Sequence, residues 1–213
     1  MTQRISIRLL DRHKGEIVDA TLHEGVTEEQ IRVAQAEWEP IRKRAIELLY
    51  KQGHSLEDLP KHWGWDWTRK ISRLGSPLSG FYGIECESKM QGLLEVAKEG
   101  YLAKLTPQKG KPIIYIKFIE TAPWNNRILD PSPRFGGVGS RLMRVAIELS
   151  LAEDCKGRLG LHSLPGNKKD EPEWFYQHVC KMEPIETERD GEGLLYFEFS
   201  PEMAEKFLRG GQS

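Results

Sequence analysis

Hydrophobic and polar positions change period several times along the chain, and each change marks an element. Ile5, Ile7 and Leu9 alternate with Ser6, Arg8 and Leu10, and a turn at Lys14-Gly15 leads into a second run, Glu16 to Leu22, predicting an edge hairpin. Thr27-Glu28-Glu29-Gln30 then has the form of a capping box. Val26 and Ile31 stand where a hydrophobic staple would close, and Ile31, Ala34, Trp38, Ile41, Ala45 and Leu48 recur at steps of three and four. A helix is predicted there, with a kink or break near Trp38-Glu39 because Pro40 removes one backbone donor, and an end at Gly53. Ser55-Leu56-Glu57-Asp58 caps a second helical segment carrying Trp63, Trp65 and Trp67.

Further on, Phe81 to Cys86 and Met90 to Ala97 read as a hairpin about Glu87-Ser88-Lys89. The run Pro112 to Thr121 is almost continuously apolar, the mark of a central strand covered on both faces. Arg141 to Ala152 is a helix and Arg158 to Leu164 a short strand, so strand, loop, helix and strand make a βαβ crossover. Glu173 to Met182 is helical. Leu194 to Phe199 is the final strand, and a short helix follows at Pro201 to Leu208.

Composition narrows the classes. The chain has 213 residues, 38% hydrophobic and 30% charged, enough for one domain with a real core. With 31 basic and 32 acidic residues the formal charge is −1, so no global field draws the protein to nucleic acid or to an anionic membrane. Arg42-Lys43-Arg44 and Arg69-Lys70 are local basic runs that read more simply as solvated helix faces. No apolar run approaches the roughly 20 residues of a membrane span, and the first residues lead into a strand pattern rather than a signal peptide, so a cytoplasmic protein is expected. Cys86, Cys155 and Cys180 are widely spaced and form no C-x-x-C pair, which indicates neither a disulfide framework nor a metal site.

Chemistry concentrates at Arg134-Phe135-Gly136-Gly137-Val138-Gly139-Ser140, where three glycines precede a helix. Such a loop either builds a tight strand-to-helix connection or lets backbone N–H groups converge on a phosphate, aided by the helix dipole. A nucleotide-triphosphate loop would need Gly-Lys-Ser/Thr, but Gly139 is followed by Ser140-Arg141. The dinucleotide pattern fails at Leu142. What remains, Arg134-x-x-Gly137-x-Gly139 between an apolar strand and a helix, resembles the acyl-CoA loop of the GNAT acetyltransferases. Trp174-Phe175-Tyr176 resembles the family's second signature, with Cys180 and Met182 departing from its usual ending and Lys169 standing where an asparagine is common.

The resemblance implies a mixed α/β (α+β) fold, a central mixed sheet with splayed strands flanked by helices. Residues 81–200 would be the acetyl-CoA-binding core and residues 1–80 a helical N-terminal arm of one domain. It implies acetyl-CoA as co-substrate, with no metal. Backbone groups of Ile119, Glu120 and Thr121 would pair with the pantetheine arm. N–H groups from Phe135, Gly136, Gly137, Val138, Gly139 and Ser140 would hold the pyrophosphate, with Arg134 adding charge. The activity implied is direct acetyl transfer to a primary amine. Tyr176 would be general acid to the departing thiolate, and Glu120 or His162 the base. Trp124 and Asn125 would border the acceptor, a small-molecule or peptide amine that the sequence does not name. Two other readings stay open: a silent CoA-binding or interaction module, and a toxin-like enzyme acting on aminoacyl-tRNA, which the net charge does not support.

Overall fold

The structure, a computed structural model, describes residues 3–53, 55, 61–127, 129–130, 132–166, 168–169 and 171–210. In chain order the main elements are β1 (Gln3–Asp11), β2 (Glu16–Glu24), α1 (Glu28–Lys51), β3 (Ser79–Cys86), β4 (Lys89–Ala97), β5 (Ile114–Thr121), β6 (Phe135–Gly136) and α2 (Val138–Ala152). There follow β7 (Leu159–Ser163), α3 (Pro172–Trp174) continued by a π-helical turn at Phe175–Cys180, β8 (Glu183–Arg189), β9 (Leu195–Phe199) and α4 (Pro201–Gly210). The strands join in one mixed sheet of order β6-β1-β2-β3-β4-β5-β7-β9-β8, with β5 and β7 parallel. Among the described residues, no helix is long and apolar enough to cross a membrane.

The chain divides into two compact units. The first comprises Met1–Gly75, Phe81–Leu93 and Glu120–Val138. Its β1–β2 hairpin is paired from Gln3↔Glu24 to Asp11↔Glu16, and β2 continues onto β3 from Thr21↔Glu85 to Glu24↔Tyr82. Glu87 and Ser88, with φ of 50° and 58°, make the two-residue turn after β3 in the twist that antiparallel strands prefer.

At the start of α1, Thr27 Oγ1 accepts from the Gln30 N–H at 3.2 Å, while the Thr27 N–H donates to Gln30 Oε1 at 2.9 Å. That capping box is the predicted one, and Val26 and Ile31 are both buried beside it. Of the kink or break expected near Trp38-Glu39, a break does not occur: α1 runs from Glu28 to Lys51 with Pro40 inside it. Hydrogen bonds on either side of the proline hold the helix, the Trp38 indole donating to the Met90 carbonyl and Arg42 to Glu120. The cap predicted at Leu56-Glu57-Asp58 falls outside the described residues. Beyond it stand 3₁₀ turns at Lys61–Gly64 and Trp67–Arg73 rather than an α-helix, the second capped by Asp66, which accepts from the Thr68 N–H at 2.8 Å.

The second unit comprises Ser76–Gly80, Leu94–Ile119 and Gly139–Ser213. Ile114, Ile116, Leu159, Leu161, Phe197 and Phe199 on its strands are buried, as are Leu142, Met143, Ala146 and Ile147 along α2. Fully burying each large apolar side chain contributes roughly 1.5–3 kcal/mol. Gly157, at φ +82°, has Ala204 of α4 only 2.9 Å from where a Cβ would stand, so both backbone sign and space require glycine there. The strand β8, absent from the sequence-based expectation, pairs among the described residues only with β9 and carries an irregularity between Ile185 and Arg189.

Candidate functional site

The glycine stretch begins as a strand. In β6, Phe135 and Gly136 pair with Asp11 and Leu10 of β1, and the Arg12 N–H donates to the Arg134 carbonyl at 2.8 Å. The Phe135 N–H is already engaged, donating to Asn125 Oδ1 at 2.9 Å, so it is not a free donor for a phosphate. Arg134 is engaged as well. Its Nη2 lies 3.1 Å from Asp11 Oδ2 and 2.7 Å from Glu87 Oε1, so the charge expected for a phosphate is compensated by two carboxylates. Burial raises the Asp11 pKa, but the Arg134 guanidinium and the backbone N–H groups of Lys14 and His13 outweigh it and hold the carboxyl below its usual range.

A depressed carboxylate pKa stabilises the fold above the unfolded-state value and loses that contribution as pH falls through the folded-state value. Arg134→Ala should therefore lower stability at neutral pH. The difference from wild type should shrink below about pH 4, which denaturant titrations at pH 7 and pH 3 will measure.

From Gly137 onward the backbone changes character. Gly137 is exposed with φ +81°, and α2 starts at the next residue. The first-turn N–H groups of an α-helix have no intrahelical partner and carry the positive end of its dipole. Of the predicted loop, Val138, Gly139 and Ser140 form the first turn of α2, whereas the Phe135 N–H is taken by Asn125.

Within the second unit, the β5–β7 ladder pairs Ile114↔Leu159, Tyr115↔Gly160 and Ile116↔Leu161, and then stops. Both strands continue, β7 to Ser163 and β5 to Thr121, so Lys117, Phe118 and Ile119 no longer face a paired β7. This is the predicted splay. Close to it in sequence, Gly139 is covered by an aromatic ring: a Cβ there would stand 3.2 Å from Phe175 Cζ. The Phe175 ring meets Tyr176 edge-on at 5.4 Å, and Tyr176 rests against Phe197 at 5.8 Å.

Tyr176 lies in the π-helical turn, a wide-turn geometry that often marks functional sites. Its carbonyl accepts from the Lys181 and Met182 N–H groups, which fixes its backbone. Burial, with a smaller contribution from the Cys180 thiol, pushes its phenol pKa well up. The phenol therefore stays protonated throughout the ordinary pH range, and among the described residues its hydroxyl has no hydrogen-bond partner.

The other two predicted catalytic residues are placed differently. His162 Nδ1 is 2.7 Å from the Tyr115 hydroxyl, and its ring lies 5.0 Å from that of Tyr196. Tyr196 and Phe197 are consecutive in β9, and consecutive strand residues point to opposite faces. His162 is therefore on the Tyr196 face and Tyr176 on the Phe197 face, so the structure does not bring these two predicted residues together. Burial lowers the His162 pKa, keeping the ring neutral near pH 7.

Glu120 is inside the first unit, 6% exposed. Arg42 Nη1 donates to its Oε1 at 3.1 Å, and the Trp67 indole N–H donates to its Oε2 at 2.7 Å. Burial drives its pKa up to about 7 against the opposing pull of Arg42 and the Trp67 hydrogen bond. That value suits a base, but both oxygens are held by buried donors, and the carboxylate ties α1 and the Trp67 turn to β5. Arg42 is accordingly not on a solvated face, and Trp67 is fully buried.

Trp124 and Asn125, expected beside the acceptor, converge on Gln91 of β4. The Trp124 indole donates to Gln91 Oε1 at 2.7 Å and Asn125 Nδ2 to the same oxygen at 2.9 Å. Asn125 thus links β4 to the Phe135 N–H, a positioning role that its sequence surroundings do not reveal.

No protein-family model matches the chain, and neither does any curated protein. Solved structures do. The GNAT domain of S. lividans PAT superposes with a TM-score of 0.54 at 12% identity over 92% of this chain and 96% of that one. The fold is that of the GNAT acetyltransferases. An uncharacterized protein from Bacillus halodurans is similar to the same degree, with TM-score 0.54 and 13% identity over 96% of this chain and 94% of that one.

The GNAT fold accounts for the parallel β5–β7 pair that parts after Ile116 and for the glycine turn feeding α2. Two residues that hold predicted ones escaped sequence reasoning: Arg42, which bonds Glu120, was hidden in a basic run, and Gln91, which holds Trp124 and Asn125, in an apolar strand. Cys86, Cys155 and Cys180 are buried free thiols, and among the described residues no group of three or more His, Cys, Asp or Glu side chains could hold a metal.

Proposed function

We propose that this chain is an acetyl-CoA-dependent N-acetyltransferase that moves the acetyl group directly to a primary amine of a small molecule or peptide. The observation that carries the reading is the early end of the β5–β7 ladder at Ile116–Leu161, in a chain whose glycine turn opens α2. An extended pantetheine arm would add to such an opening as a strand does, running alongside β5 from Lys117 to Ile119 and on toward Glu120 and Thr121. Pyrophosphate oxygens would accept from the first-turn N–H groups of α2.

In the reaction a neutral amine attacks the thioester carbonyl carbon. The tetrahedral intermediate collapses with cleavage of the C–S bond, and the electron pair goes to sulfur. Tyr176, kept neutral by burial, donates its hydrogen bond to the sulfur as that charge develops. The proton shed by the amine leaves to water, which closes the balance without a buried base. Glu120 acts as a positioning residue that holds α1 and the Trp67 turn.

Thiol release from acetyl-CoA, followed with pools of small amines, peptides and tRNA, tests the reading. Release with small amines or peptides, insensitive to salt, is expected. Release only with charged tRNA, steeply reduced by salt, would move the assignment to the tRNA-directed class, and CoA binding without release to any pool would make the protein a silent binder. Gly139→Val, which drives a branched side chain into Phe175, should weaken acetyl-CoA binding at least tenfold as measured by calorimetry.

A further inference from the structure

At the opposite end of α2 from Gly139, about 20 Å away at 1.5 Å per residue, the second unit holds a cavity of about 410 Å³. It is lined by Gln108, Lys111, Lys156, Arg158, Ser200 and Met203, among others. Arg158 is only 5% exposed. Its Nε donates to the Pro112 carbonyl at 2.8 Å, and among the described residues its guanidinium has no carboxylate partner. Among the described residues its two Nη groups have no hydrogen-bond partner, and the residue lines the cavity.

A guanidinium this deep is costly to keep unpaired, because burial removes most of its hydration. Lys111 and Lys156, both exposed, bring two further cations to the same cavity, and neither has an ion-pair partner among the described residues. Ser200 closes the start of α4, its Oγ accepting from the Met203 N–H and donating to Glu202 Oε2 at 2.8 Å. Glu183 and Glu202 also border the cavity, and Glu202 is already bonded to Ser200. Three cations against two carboxylates, with the buried one free to make a forked contact, fit a doubly charged oxyanion better than a cation or an apolar group.

We propose that this cavity binds a phosphate group, with the Arg158 Nη donors as the forked anchor and Lys111 and Lys156 as the flanking charges. The site is separate from the glycine turn and does not depend on the activity assigned above. Calorimetric titration with inorganic phosphate, at ionic strength held constant with NaCl, is the test. Saturable one-to-one binding is expected, weakened at least tenfold by Arg158→Gln. The double variant Lys111→Gln/Lys156→Gln, which alters only exposed side chains, should weaken it similarly and serves if Arg158→Gln does not fold. Gly137→Val should leave phosphate binding intact. No saturable heat, equal affinity in wild type and the double variant, or loss of binding in Gly137→Val would each overturn the proposal, the last by placing the anion at the start of α2.

Discussion

Tyr176→Phe should lower turnover by about 10²-fold or more while acetyl-CoA affinity and melting temperature stay near wild type. The substitution keeps the ring against Phe175 and Phe197 and removes only a hydroxyl that no described residue bonds. In the proposed mechanism, binding intact thioester does not use that hydroxyl, whereas expelling a thiolate does. The pH dependence separates this role from that of a titrating acid. Because burial holds the phenol pKa well above its ordinary value, Tyr176 stays protonated below pH 10, and the variant's pH–rate profile should match wild type in shape and differ only in height. Full turnover in the variant, under conditions where chemistry limits the rate, would return Tyr176 to packing alone.

Glu120→Ala should be the most destabilising single change in the first unit, by about 3–5 kcal/mol, since it leaves Arg42 buried without its countercharge and the Trp67 indole without its acceptor. Glu120→Gln keeps an acceptor for the indole and should cost less. The pH dependence has a definite sign. The folded-state pKa of Glu120 is raised to about 7, so between the ordinary carboxylate range and pH 7 the unfolded chain ionises first and the folded state binds more protons. Wild-type stability should therefore fall as pH rises through that window and level off above it. Urea unfolding from pH 4.5 to 8 should show this slope in wild type and a flatter one in Glu120→Gln. A slope unchanged by the substitution would remove Glu120 as its source.

What the sequence disclosed, and what it hid, follows from the range of the interactions. The strand β5 was legible because its side chains are apolar on both faces, and α1 because its cap is built from neighbours, Thr27 and Gln30. The glycine turn was legible because Gly137 takes a backbone conformation that other residues avoid. No break follows from Pro40 because local preference is overridden by Trp38 and Arg42, whose partners lie 52 and 78 residues away. The strand β8 escaped because its sequence, Glu-Pro-Ile-Glu-Thr-Glu-Arg, is polar and contains a proline, as suits an edge paired on one side only.

The candidate site was legible in outline and not in its roles. Arg134, Asn125 and Glu120 stand where the resemblance placed functional groups, yet their charges and hydrogen bonds are taken up by Asp11 and Glu87, by Gln91 and the Phe135 N–H, and by Arg42 and Trp67. No local pattern announces partners so distant along the chain. The separation of His162 from Tyr176 follows from strand alternation in β9, and needed the contacts of Tyr196 and Phe197 to become visible.

The central claim is that the start of α2 and the parting of β5 from β7 receive coenzyme A. Thermal unfolding with and without millimolar CoA tests this most directly, because a ligand that binds only the folded state must raise the melting temperature. The account predicts a saturable rise with CoA and with acetyl-CoA, and a much reduced rise in Gly137→Val and Gly139→Val. Identical melting of wild type with and without CoA would contradict it.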